Sequence, residues 1–128
     1  MREIKLLQKI KEDPVREKRI EYEIIVDAYD ESERAMGWYY YLEDAIHFPF
    51  RARCIAQRPT SPLKENEEVQ VEGMAPEKEC EKEMFVQIAW EKWKLAVPLS
   101  QLEPVGSDSE TLEAIEDWHY WVCRGYQF

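Results

Sequence analysis

The chain has 128 residues, 27 acidic against 17 basic, and a formal charge of −10. That length suits one domain that buries roughly two-thirds of its unfolded surface, and 12% aromatic residues argue against a disordered chain. The acid excess excludes non-specific nucleic-acid binding, which needs a basic face, and favours cations and basic proteins as partners.

Residues 1–13 place Ile4, Leu6, Leu7 and Ile10 among lysines, the spacing of a short amphipathic helix or peripheral arm. Pro14 is expected to interrupt it. The opening MREIKLLQKIKEDP lacks an apolar leader followed by a small-residue cleavage site, and no run of about 18 apolar residues occurs. The expectation is a soluble cytoplasmic protein without a membrane partner. Residues 15–29 support two readings. Ile20, Tyr22, Ile24, Val26 and Ala28 alternate as in a strand, while Ile20, Ile24 and Ala28 recur every four residues as in a helix. Good helix formers in VREKRIEYE favour the helix, so 15–48 is read as helical. Asp30 or Ser32 caps its second part, and Asp30 with Glu33 has capping-box spacing. Ala35, Tyr39, Leu42 and Ile46 then share one face, and Gly37 would allow another element to approach closely.

After Pro49 the periodicity changes. Phe50 to Ala56 alternates as a strand. Val69 and Val71 mark a second, Met84 to Trp90 and Lys94 to Val97 a hairpin, and Glu103 to Val105 a last short strand after a 3₁₀ turn at 98–102. The fold class is therefore α+β. Residues 50–105 are expected to form a small SH3-like β-barrel of four or five short strands, with helices before and after it. The last helix, 109–124, would start at Ser109 and carry Leu112, Ile115, Trp118, His119 and Val122 on its inner side. A single domain, 1–128, is expected.

Acids crowd the stretch Asp27 to Phe50, DAYDESERAMGWYYYLEDAIHFPF, where Arg34 is the only full positive charge. Crowded carboxylates need water, a cation or a basic partner. Cys54, Cys80 and Cys123 form no CxxC pair, and their spacing with His47 and His119 supports no zinc site; reduced, inert thiols are the reading. The EF-hand pattern fails too, because Ser32 stands where a loop starting at Asp27 needs glycine.

Together, VDAYDESERAMGWYYYLEDAIHFPFRARC, SPLKENEEVQVEGMAPE, ECEKEMFVQIAW, LAVPLSQLEP and IEDWHYWVCRGY resemble the small acidic calcium-binding proteins named after the cyanobacterial member, CcbP. The resemblance runs from about Ile20 to Phe128. It implies a cytoplasmic protein that binds calcium, Ca2+, without an EF-hand and buffers or sequesters it, and a sensor role is carried beside that; nothing marks a paired general acid and base among the carboxylates, so no enzyme is expected. Calcium takes six to eight oxygen ligands, so acidic side chains are the candidates. Asp27, Asp30 and Glu31 lie within one helical turn of one another. Glu43 and Asp44 follow, and one of them could face that cluster if the helices pair antiparallel. Glu77, Glu79 and Glu81 form a second group, and Glu116 with Asp117 a third. The alternative function is an interaction module whose acidic face binds a basic protein.

Overall fold

The computed structural model describes residues 11–128, so the amphipathic helix expected before Pro14 falls almost wholly outside the described residues. Pro14 starts a helix instead of stopping one. Helix α1, Pro14–Arg19, continues as one π turn, Ile20–Ile24. Pro14 occupies the first helical position, where a missing N–H costs nothing. The Asp13 carboxylate accepts from the Val15 and Arg16 N–H groups at 3.0 and 3.2 Å, which caps the helix. The helical reading of 15–29 holds only as far as Ile24. Beyond it the chain turns, with Asp27 left-handed at φ 59.

Helix α2 spans Glu31–Ala45. Its start is the expected one: Asp30 Oδ1 accepts from the Glu33 N–H at 2.8 Å, and Glu33 reaches back to accept from the Tyr29 N–H at 3.0 Å. The shared face is also as expected, with Ala35, Tyr39 and Leu42 buried together with Trp38. A methyl group on Gly37 would stand 2.5 Å from the Ile24 carbonyl oxygen. Gly37 is thus where the end of α1 crosses α2, a contact only glycine permits.

Five antiparallel strands follow: β1 Phe50–Cys54, β2 Glu68–Met74, β3 Phe85–Trp90, β4 Trp93–Pro98 and β5 Leu102–Pro104. Their order is β4-β3-β2-β1-β5. Strict alternation buries Phe50, Ala52 and Cys54 in β1, the signature of a sheet with one face on the core. The 3₁₀ turn, Leu99–Gln101, separates β4 from β5 as expected. The sheet is open, because β4 and β5 are its two edges and are not paired with each other. The strand number and order are observed; closure into a barrel is not.

Helix α3, Ser109–Cys123, is capped by Asp108 and not by Ser109: the Asp108 carboxylate accepts from the Thr111 N–H at 3.3 Å. Its inner face is also rotated from the expected one. Thr111, Ala114, Ile115, Trp118 and Trp121 are buried, whereas Leu112 and Val122 are 40% and 37% exposed. The reason is aromatic packing. Trp38 of α2 meets Trp118 at 5.0 Å and Trp121 at 5.6 Å between ring centroids, and indoles carry more apolar area than Leu112 or Val122. No helix among the described residues is long and apolar enough to cross a membrane.

Candidate metal centre

The sequence candidates on α2 separate into its two ends. Asp30 is the cap, Glu31 opens the first turn, and Asp44 lies 13 positions further along the same helix. At about 1.5 Å per residue that is roughly 20 Å. Asp27, Asp30 and Glu31 therefore cannot share one ion with Glu43 and Asp44. The antiparallel pairing that would have joined them does not occur, since both groups sit on one continuous helix.

Glu43 and Asp44 gain a different neighbour. Where α1 crosses Gly37, an open groove forms, lined by Glu23, Glu43 and Asp44 with Tyr40 and Tyr41 beside them. All three carboxylates are exposed. Among the described residues no lysine or arginine lines the groove. Ile24, the last residue of the π turn, completes the lining, and helix C-termini carry partial negative charge that favours a cation. Nearby tyrosines register the local field. Burial first, and then the Glu43 carboxylate, push Tyr39 up to about 12. Tyr40 is raised by the hydrogen bond it donates to Glu77 at 2.7 Å, with Glu43 adding to it. Glu23 was missed in the sequence. It becomes a candidate only through the Gly37 crossing, which brings it beside residues 20 positions later.

Glu31 and Glu77 meet at a second groove of about 440 Å³, together with Glu81. Lys78 and Lys82 line it too, and Lys82 Nζ stands 3.9 Å from the Glu31 carboxylate. Its charge is partly balanced already. Glu79 lies on the same 3₁₀ turn, Glu77–Cys80, but outside this lining.

Glu116 and Asp117 serve ion pairs. Asp117 is wholly buried. Its Oδ1 accepts from Arg16 at 2.6 Å and Arg19 at 2.8 Å, and its Oδ2 from Arg19 Nε and the Tyr41 hydroxyl, both at 2.8 Å. Four donors fill its lone pairs. Arg19 is raised first by that hydrogen bond, and Tyr41 first by burial and then by its own bond to Asp117. Glu116 accepts from Arg16 at 3.2 Å. Asp117 pairs with Tyr41 and Glu77 with Tyr40, and adjacent helix residues point about 100° apart. Glu77 and Glu79 are therefore not grouped with Glu116 and Asp117.

A third acidic grouping was not anticipated. His47 places Nδ1 3.1 Å from Asp108 and Nε2 2.7 Å from Glu110. These exposed side chains lie within reach of a common ion, but both ring nitrogens already face carboxylates. Asp108 is lowered first by its bonds to Thr111, with His47 contributing. The cysteines are free, and burial pushes the thiols of Cys54, Cys80 and Cys123 up. Among the described residues no cysteine joins a cluster of three metal-ligating groups.

Hard oxygen donors without competing cations suit calcium. Among the described residues the groove lined by Glu23, Glu43 and Asp44 offers acidic residues without a lysine or arginine and the other groove has two lysines, while only His47, Asp108 and Glu110 bring three ligand atoms within 4.8 Å of one another. Comparison with known proteins bears on the same ligand. The calcium-binding family named for CcbP matches residues 18–122. The crystal structure of Anabaena CcbP is 47% identical, with a TM-score of 0.83, covering 93% of this chain and 98% of that one. A second structure, described as a calcium-binding protein in the calcium-binding form, is 47% identical with a TM-score of 0.81, covering 91% of this chain and 95% of the other. No curated protein matches the chain. With a family match over most of its length and two such structural relatives, this chain belongs to the CcbP family of calcium-binding proteins.

Proposed function

We propose that this protein binds calcium reversibly and acts as a cytosolic buffer, with Glu23, Glu43 and Asp44 as the principal carboxylates. One observation supports this choice of site: three acidic residues line a single open groove with no lysine or arginine among the described residues that line it. The end of the π turn adds its negative pole, and water would complete the coordination. Glu31, Glu77 and Glu81 make a weaker second site, because calcium there must displace Lys82 from Glu31. Asp27 is exposed beside the turn into α2 and contributes long-range attraction. We read the sheet, with its 3₁₀ turn between β4 and β5, as an SH3-like arrangement that serves as a platform for α2. A buffer fits better than a sensor. The groove is already open, and the opposite face of α2 is held in the core by Trp38 and Leu42, so binding requires no opening.

Titration of metal-stripped protein with calcium in about 0.15 M salt, where screening suppresses diffuse attraction, tests this. The expected result is saturable heat that persists with magnesium present and is lost in the Glu43→Gln/Asp44→Asn double variant. Heat unchanged in that variant would overturn the site, and heat absent from the parent protein would overturn calcium binding itself. The same unbalanced carboxylates would accept a lysine-rich or arginine-rich partner, in which case calcium competes with that partner for the groove.

A further inference from the structure

The groove lined by Glu23, Glu43 and Asp44 has two walls. Tyr40, Tyr41, Glu43 and Asp44 belong to α2, while Glu23 and Ile24 belong to the π turn that continues α1. Its width therefore depends on where α1 sits. The helix itself, Pro14–Arg19, buries no residue, and only Ile20 and Ile24 of the π turn enter the core. Polar contacts hold the rest. Glu17 accepts from the hydroxyls of Tyr120 at 2.6 Å and Tyr126 at 2.7 Å. Arg16 and Arg19 converge on Asp117 of α3.

Asp117 also reaches the other wall. Its Oδ2 accepts from Arg19 Nε and from the Tyr41 hydroxyl, both at 2.8 Å. Tyr41 lines the groove, and its ring meets the buried Trp38 edge-on at 6.0 Å between centroids. Arg19 precedes Glu23 by four positions, about one helical turn. One carboxylate oxygen thus joins the helix that leads to Glu23 to the helix that carries Glu43 and Asp44. Desolvation of buried charges offsets much of their attraction, so stability alone is a weak reason for such a pair.

We propose that Asp117 is a positioning residue for cation binding: without touching the ion, it holds Arg19 and Tyr41 together and so sets the separation of Glu23 from Glu43 and Asp44. This rests on the reading of the groove as the calcium seat. Calcium takes oxygens only at about 2.3–2.6 Å, so a small shift of one wall trades a carboxylate for water.

Charge and position predict opposite signs, which makes the test sharp. Arg19→Gln removes a cation near the groove. Charge alone would strengthen calcium binding, whereas loss of position weakens it. Tyr41→Phe changes no charge and keeps the ring on Trp38. Lys18→Gln, at an exposed position of α1, is the control for charge. The measurement is calcium titration calorimetry of the full chain in about 0.15 M salt, well below each variant's melting temperature, where a purely structural loss leaves the affinity of the folded protein unchanged. Arg19→Gln and Tyr41→Phe are each expected to weaken binding about tenfold, the scale of outer-shell partners of a metal site, with the stoichiometry kept. Lys18→Gln is expected to bind as tightly as the parent or more tightly. Parental affinity in Tyr41→Phe, or tighter binding in Arg19→Gln, would overturn the proposal while leaving the seat in place if Glu43→Gln/Asp44→Asn still abolishes the heat. Undiminished heat in that double variant, or none from the parent protein, would overturn the seat and the proposal together.

Discussion

Asp117 and Asp44 are both helical aspartates, and their surroundings give them opposite roles. Asp117 is enclosed by Arg16, Arg19 and Tyr41, whereas Asp44 borders a groove with no lysine or arginine among the described residues of its wall. Removing one partner of a buried ion pair leaves the others uncompensated. Asp117→Asn is therefore expected to cost about 3 kcal/mol in urea denaturation, with calcium stoichiometry unchanged. Glu116→Gln, on an exposed pair, should stay within about 0.5 kcal/mol. His119 gives a pH dependence of known sign. Burial lowers its pKa below the ordinary 6.5, so the folded state prefers the neutral ring. Its contribution is complete above pH 6.5 and is lost as pH falls toward the folded value. Chemical denaturation between pH 7 and pH 5 should show that loss, and His119→Gln should flatten it. Asp108 is also lowered, from 3.8, so its contribution disappears only in more acidic solution. None of these residue roles could be read from the linear pattern. Asp117 was grouped with Glu116 as a candidate ligand because its arginines are about 100 positions away.

At the scale of elements, the crossing of α1 over α2 is decisive. The cap at Asp30, the apolar face of α2 and the need for close approach at Gly37 were legible, because each depends on residues within a turn or two. What crosses Gly37 was not. Alternation and fourfold spacing coexist in residues 20–28, and packing, not local pattern, selected a π turn that stops at Ile24. The stripe on α3 was misjudged for a related reason: Thr111 and Asp117 are polar yet buried, while Leu112 and Val122 lost their places to the indoles. Glu23 was overlooked because only the crossing places it beside Glu43 and Asp44. Gly37→Ala tests the crossing. Alanine improves helix propensity by about 1 kcal/mol, but its methyl would press on a backbone oxygen at 2.5 Å. Clash with backbone is expected to prevail, with a net loss of about 1–2 kcal/mol in thermal or urea unfolding and weaker calcium binding. Equal or greater stability would mean that the two helices separate without cost.

For the whole molecule, the charge of −10 is a source of self-repulsion that a bound cation relieves. Calcium at a hundred times its dissociation constant should stabilise the fold by about 2.7 kcal/mol if the unfolded chain does not bind it, a rise of roughly 10 °C in melting temperature. Sodium chloride at equal ionic strength should reproduce only a small part of that rise. The α+β class, the strand count and the 3₁₀ turn were legible as periodicity changes and proline positions, whereas barrel closure depends on edge pairing that no local pattern encodes. The ligand was legible through the family resemblance that the acidic-aromatic stretch carries together with four other segments, and its seat was not, because α2 holds the suspected acids roughly 20 Å apart. The most direct test is a crystal structure of this protein grown with calcium. The expected result is an ion held by Glu23, Glu43 and Asp44 oxygens at about 2.3–2.6 Å. An ion seated instead on Glu31, Glu77 and Glu81, or on Asp108 and Glu110, with this groove holding only water, would contradict the assignment.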